Sequence, residues 1–208
     1  MFDIVVAKEG QKAILIAFLV MIVSILIGCG FLVTLAFIAT IGLIFIFRNK
    51  DISYNNNDSD ITSPISGVVT AIDVAEENKK DIYIDVSLCN NHILRACEDG
   101  DCTVEYKRGL NLLLNSFKAK RLNDKAIIKF NQTKINLCSS LFNTSINITK
   151  TQKLRKGEKI GVFLQGEVCV TVDSANDIMV KIGDKVDSGQ TTLAIIPTPK
   201  EDEQKQED

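Results

Sequence analysis

The sequence predicts a mainly β domain preceded by an N-terminal transmembrane helical hairpin. Three observations carry this: an uncharged apolar block over residues 13–47, a series of short β-branched runs separated by turn residues from position 67 onward, and one short helical candidate over 110–120. The 208 residues hold 24 Lys and Arg against 26 Asp and Glu, a formal net charge of −2, and 46% are hydrophobic. Those averages fit an ordinary globular chain, but the apolar residues are not evenly spread. Residues 13–47 contain no charged side chain and no histidine, and Ile, Leu, Val, Phe and Ala dominate. A helix of a soluble domain keeps a polar face, so this block excludes a wholly soluble protein. The balanced charge excludes a basic nucleic-acid binder, which clusters Lys and Arg on one face.

A helix crossing a hydrocarbon core of about 30 Å needs roughly 20 residues, and the block is too long for one such span. Gly28-Cys29-Gly30 divides it into two short spans, with two glycines supplying the freedom for a tight reversal. Lys8 and Lys12 precede the block and Arg48 and Lys50 follow it, so a hairpin gathers all four cations on one side. The positive-inside rule makes that side cytoplasmic. The expected order is a cytoplasmic N-terminus over 1–12, the hairpin over 13–47 and a linker over 48–62. A β domain over 63–197 then faces the cytoplasm at the cell (inner or plasma) membrane. A cleaved signal peptide has a shorter apolar core and a small-residue cleavage site, and neither is present before the domain.

The linker is polar, with Asn55-Asn56-Asn57 at its centre. Strands are expected over 67–74, 82–88, 126–130, 135–141, 145–149, 160–164, 168–172, 178–182 and 191–196, where alternation or β-branching prevails. Leu112, Leu113 and Phe117 give 110–120 its helical spacing. Residues 198–208 end in an acidic, apolar-free stretch expected to be disordered. Ser63-Pro64-Ile65-Ser66-Gly67-Val68-Val69 opens the domain, and a strand, Gly183-Asp184 turn and Gly189-led strand close it. Such paired elements are those of a barrel-sandwich hybrid, an architecture that by itself specifies no chemistry.

Six cysteines invite disulfide arithmetic, but Cys29 lies in the apolar block and a cytoplasmic domain is kept reduced, so free thiols are expected. Cys89, His92, Cys97 and Cys102 offer an alternative, a zinc site of three sulfurs and one nitrogen. Their spacing matches no common zinc knuckle, and Glu98, Asp99 and Asp101 mark a solvated turn, so no metal is expected.

Five segments in order give the chain a resemblance. They are Ile4-Val5-Val6-Ala7-Lys8-Glu9-Gly10, Phe47-Arg48-Asn49, Ser63-Pro64-Ile65-Ser66-Gly67, Asn90-Asn91-His92-Ile93-Leu94-Arg95, and Gly157-Glu158-Lys159-Ile160-Gly161 followed by Gly166-Glu167. In order and spacing they resemble the short, membrane-anchored form of phosphatidylserine decarboxylase over nearly the whole chain. The counterparts in that family are an opening before its apolar hairpin, a Phe-Arg-Asp exit, Ser-Pro-Ala-Asp-Gly, Asp-Val-His-Val-Asn-Arg, and a Gly-Glu-Arg-Phe-Gly run before a Gly-Ser cleavage pair. The resemblance implies a proenzyme that cuts its own chain at Gly-Ser and leaves a pyruvoyl group as electron sink for loss of CO2.

The departures fall on the positions that matter. Self-cleavage needs a hydroxyl or thiol on the β-carbon, and Glu167 stands there. The family's acids, which with its histidine are implicated in activating the serine, fall at Ser66 and Asn90, so of that set His92 alone is kept. No catalytic residue is therefore assigned among the family positions Ser66, Asn90, His92, Gly166 and Glu167, and no pyruvoyl cofactor is expected. Cys169, two residues on, carries a thiol, but the Gly and acids an acyl shift would use are missing there. His92 and Arg95 are the candidates for contact with lipid. The resemblance thus implies a non-self-processing pseudoenzyme of phospholipid (phosphatidylethanolamine) metabolism. Its expected partners are membrane phospholipid such as phosphatidylserine, and a homo-oligomer or a hetero-oligomer with an active homologue. The alternatives are an active decarboxylase with a non-standard site and a hybrid-barrel membrane adaptor of a transport system, although the long heptads that accompany the latter are absent.

Overall fold

Two apolar helices come first in the computed structural model, which describes residues 8–46, 59–75, 78–141, 146–148 and 153–197. Helix α1 (Lys8–Ile27) and helix α2 (Gly30–Ile46) contact each other and are broken at Gly28, whose φ is +77°. The Gly28 amide donates to the Ile25 carbonyl at 3.0 Å and the Cys29 amide to the Ser24 carbonyl at 3.2 Å. That pair of bonds closes α1 in a Schellman motif, with glycine at the left-handed position. The hydroxyls within the helices, Ser24, Thr34 and Thr40, each donate to the carbonyl four residues back, at 2.8, 3.0 and 2.7 Å. They are thereby satisfied without water. Gly10–Ile27 is long and apolar enough to cross a membrane, while Gly30–Phe45 is apolar but shorter. Helix α1 starts at Lys8, so residues 8–12, expected to precede the membrane hairpin, are helical. Residues 1–7, Arg48, Lys50, most of the expected linker and the tail over 198–208 lie outside the described residues.

The rest is built on antiparallel strands: β1 (Asp60–Thr62), β2 (Gly67–Ala75), β3 (Lys79–Val86), β4 (Ile93–Arg95), β5 (Thr103–Lys107), β6 (Lys125–Lys129), β7 (Lys134–Ser139), β8 (Asn147–Ile148), β9 (Lys159–Val162), β10 (Gly166–Asp173), β11 (Asp177–Ile178), β12 (Lys185–Val186) and β13 (Thr192–Ile195). One short helix, α3 (Phe117–Leu122), lies between β5 and β6. A seven-stranded sheet runs β12-β2-β3-β10-β7-β6-β5, beside two three-stranded sheets, β1-β13-β11 and β4-β9-β8. The mainly β expectation therefore holds.

Period-2 alternation gives the large sheet two different faces. Val168, Val170 and Val172 of β10 are buried with Ile82, Ile84 and Val86 of β3, Ile135 and Leu137 of β7, and Ala126 and Ile128 of β6. Burial of each Val, Leu or Ile side chain contributes about 1.5–3 kcal/mol. The opposite face is polar and runs in rows across the strands. Asp85, Glu167, Cys138 and Lys125 form one row, Tyr83, Cys169 and Asn136 the next, and Asp81, Thr171 and Lys134 the third.

The two segments singled out as opening and closing the domain do pair, Gly67 with Val186 and Val68 with Lys185. Around them the Gly189 amide donates to the Ser63 carbonyl at 2.7 Å and the Ser63 amide to the Thr191 carbonyl at 2.8 Å. Two expectations change. Asp60–Thr62, expected in the linker, pairs with β13, so the domain begins before Ser63. The helix expected over 110–120 is α3 instead, because Ser116 caps it by accepting from the Ala119 amide at 3.2 Å. Upstream, Asn123 holds residue 112 in irregular backbone, accepting from the Leu112 amide at 2.9 Å and donating to its carbonyl at 2.6 Å.

Candidate functional site

Gly166 and Glu167 begin β10, the middle strand of the large sheet. Gly166 pairs with Val86 on one side and Ser139 on the other, and Glu167 with Asp85 and Cys138. The backbone at Gly166 has φ +146°, a conformation L side chains rarely adopt. A Cβ added there would collide with the Cys138 carbonyl oxygen and lie 2.9 Å from the Phe163 ring. Glycine is required at 166 by geometry alone, whatever chemistry takes place beside it.

The Glu167 side chain reaches across the polar face to α3, where its Oε2 meets Lys120 Nζ at 2.6 Å. Side-chain exposures of 22% for Glu167 and 40% for Lys120 put this pair in partial contact with water. An ion pair so placed contributes about 1 kcal/mol or less, so the fold does not depend on a carboxylate at 167. The charge is nevertheless felt by its neighbours. The Asp85 carboxyl is raised above its ordinary range by burial first and by Glu167 second. The Cys138 thiol is raised by burial, partly offset by Lys125.

The other expected positions make contacts of their own. Ser66 is buried, donating to Asp187 Oδ1 at 3.4 Å and accepting from the Ser188 amide at 2.9 Å. Asp187 is an acid beside position 66 that sequence reasoning did not single out. Asn90 Oδ1 accepts from the Ser87 amide at 2.8 Å and the Ser87 hydroxyl at 2.7 Å, closing the turn after β3. His92 is 1% exposed and its Nε2 donates to the Leu88 carbonyl at 3.0 Å. The His92 carbonyl accepts from the Phe163 amide at 2.9 Å, and the Phe163 ring lies against Gly166, so one residue links the histidine to the glycine. Ser188 Oγ donates to the Ile93 carbonyl at 2.8 Å, which ties the Ser66 neighbourhood to the residue after His92.

Arg95, expected with His92 to face lipid, is also buried. Its amide donates to the Pro64 carbonyl at 2.8 Å and its Nη1 to the Gly157 carbonyl at 3.0 Å. Both side chains of this candidate lipid-binding pair are therefore buried within the β domain. The four residues of the zinc alternative are not gathered into a metal-holding group. Cys89 is exposed, Cys97 and Cys102 are buried in the same hydrophobic core, and Cys97 Sγ shares a hydrogen bond of 3.0 Å with Thr133 Oγ1. Among the described residues no three His, Cys, Asp or Glu side chains converge on a metal position.

All six cysteines are free thiols. Burial pushes Cys97 up to about 12, and burial followed by the charge of Asp81 does the same to Cys169. Tyr83 rises to about 12 through burial and then Cys169. The folded state thus favours the neutral forms. That contribution is fully present below the ordinary thiol value of 9.0 and is lost as pH rises through about 12. The urea midpoint is expected to fall steadily across that window, and Cys169→Val to flatten the fall. A midpoint equally high at both ends of the window would contradict this burial.

Comparison with known proteins gives one family and several relatives. A family model described as phosphatidylserine decarboxylase matches residues 42–194. The phosphatidylserine decarboxylase proenzyme of Wolbachia pipientis wMel is 26% identical over 206 residues, 90% of this chain and 89% of its own. Those of Wolbachia sp. subsp. Brugia malayi (strain TRS) and Pelagibacter ubique (strain HTCC1062) are 27% and 25% identical, again over 90% of this chain and over 89% and 94% of their own. No solved structure matches.

Proposed function

The chain belongs to the phosphatidylserine decarboxylase family, and from that premise we propose that it is a member that does not cut itself. It acts as an intact, membrane-anchored protein of phosphatidylethanolamine metabolism that binds phospholipid or a partner. The observation that carries this is Glu167 at the family's cleavage position, with its carboxylate held by Lys120 at 2.6 Å at the start of β10. A carboxylate offers no β-hydroxyl to attack the preceding carbonyl and none to eliminate afterwards. The pyruvoyl group on which the family depends does not fit these residues, and no step is derived through it.

The surroundings support the same conclusion. The hydroxyl of Ser66 and the amide of Asn90 stand where the family has acids, and both are engaged in local bonds. His92 Nε2 is committed to the Leu88 carbonyl. Activation of a nucleophile needs a base oriented by a third group, and at position 167 no hydroxyl or thiol nucleophile is in place. Cys169 offers a thiol, but burial raises its pKa to about 12, which removes the thiolate such a step would use.

The proposal includes an anchor. With α1 long enough to span and α2 running back beside it, the two helices form a membrane hairpin that leaves the β domain in the cytoplasm at the cell membrane. The pairing of β12 with β2 supports a barrel-sandwich hybrid as the domain's architecture. An oligomer, with itself or with an active homologue, is the assembly such a protein would join.

Carboxyl-labelled phosphatidylserine in mixed vesicles with the purified full chain tests the loss of activity. Release of labelled CO2 is expected to equal that of protein-free vesicles. Release above that level and blocked by a carbonyl reagent would establish a working enzyme with a non-standard site instead.

A further inference from the structure

We propose that the surface formed by the end of β5, the irregular segment after it and α3 is a docking face for an anionic phospholipid bilayer. The proposal is independent of whether the chain cuts itself. Residues 107–122 read KRGLNLLLNSFKAKRL, five cations and no acid, in a chain whose net charge is −2. Lys120 turns toward Glu167. The remaining four, Lys107, Arg108, Lys118 and Arg121, line an open depression of about 760 Å³ together with Leu110 and Leu122. Positive charge is therefore concentrated on one face by the fold as well as by the sequence.

The same segment exposes apolar side chains that have no internal reason to face water. Leu110 is 54% exposed, Leu112 40%, Leu113 53%, Leu122 44% and Phe117 77%. Ala119 is the buried residue of α3, so the helix rests on the domain by a narrow contact and points its larger side chains outward. The Arg121 guanidinium lies 6.0 Å from the centroid of the Phe117 ring, so cation and apolar body share one surface.

Charge complementarity and shape select the occupant. Protruding Leu and Phe side chains ringed by Lys and Arg suit a surface that is apolar beneath and anionic on top, which is the interface of a bilayer carrying acidic lipids. A helical peptide partner would want its apolar anchors received in a groove, whereas here Leu112, Leu113 and Phe117 are exposed outside the depression, which four cations share with Leu110 and Leu122. The apolar helices at the N-terminus give the domain a reason to meet that surface.

The test places the full chain in nanodiscs of phosphatidylcholine alone or with about one third phosphatidylglycerol, and follows hydrogen exchange of the amides over 107–122. In the anionic discs these amides are expected to exchange about tenfold more slowly. The difference should disappear at about 1 M salt, where the screening length falls to about 3 Å. It should also disappear in R108E/K118E/R121E and, with charge unchanged, in L113Q/F117Q. Exchange over 82–86 and 168–172 reports that each variant is folded, and if the triple variant is not, the apolar pair decides alone. Equal exchange in both discs, or slowing that survives both variants, would overturn the proposal. Slowing by soluble glycerol phosphate in neutral discs would replace the bilayer with a free phosphate ester and would overturn it as well.

Discussion

Replacing Gly166 with alanine is expected to destabilise the β domain by about 3–5 kcal/mol, combining backbone strain with overpacking. The backbone there holds φ at +146°, and the new methyl group would meet the Cys138 carbonyl of β7 and the Phe163 ring. Neither obstacle is a flexible side-chain end. The carbonyl belongs to a strand paired with β10 over six residues, and Phe163 is fully buried. Relief therefore requires moving the central strand of the sheet. Against a typical total stability of about 5–15 kcal/mol the loss is large, and it is read as a drop in the urea midpoint of the full chain in detergent. A loss below about 1 kcal/mol would mean that Gly166 is relaxed, and that its identity reflects ancestry in a self-cleaving family rather than geometry.

Phe163→Ala is expected to cost about 3–5 kcal/mol through lost burial and the cavity left behind. Its ring is inaccessible to water and lies on Gly166, while its amide donates to the His92 carbonyl at 2.9 Å. The substitution keeps the amide and removes the ring, which separates packing from the backbone link. Phe163→Leu should recover most of the loss, leaving about 1–2 kcal/mol. The two variants compared by urea unfolding check this, and equal losses for leucine and alanine would show that ring shape, not filled volume, is what the site requires.

Much of the fold is legible in the sequence because alternation is strong wherever one face of a strand is buried. Val168, Val170 and Val172 mark β10 by their period of two, and Ile82 and Ile84 mark β3 in the same way. The strands without such a mark are of a different kind. β5, reading TVEYK, is an edge strand with mostly exposed residues, and β1, β4 and β12 are two or three residues long. Such segments are held by partners distant in sequence and carry little pattern of their own. The helix is displaced from its expected span because side-chain bonds from Ser116 and Asn123 outweigh leucine spacing.

The site divides in the same way. Glu167, Ser66 and Asn90 are identifiable as departures through the resemblance to the family's motifs, but their partners are not. Lys120 lies 47 positions from Glu167 and Asp187 lies 121 from Ser66, so only the folded sheet brings them together. Asp187 also means that restoring an acid at 66 would set two carboxylates against each other. Gly166 carries a double meaning. Its resemblance to half of a cleavage pair is visible in the sequence, whereas the close approach of the Cys138 carbonyl is a property of the paired strands.

The central claim is that this member of the family stays whole. The intact mass of the purified full chain tests it most directly. One species near 23.0 kDa is the expected result. Two chains, the shorter beginning at position 167 or 169 with a blocked N-terminus, would contradict it.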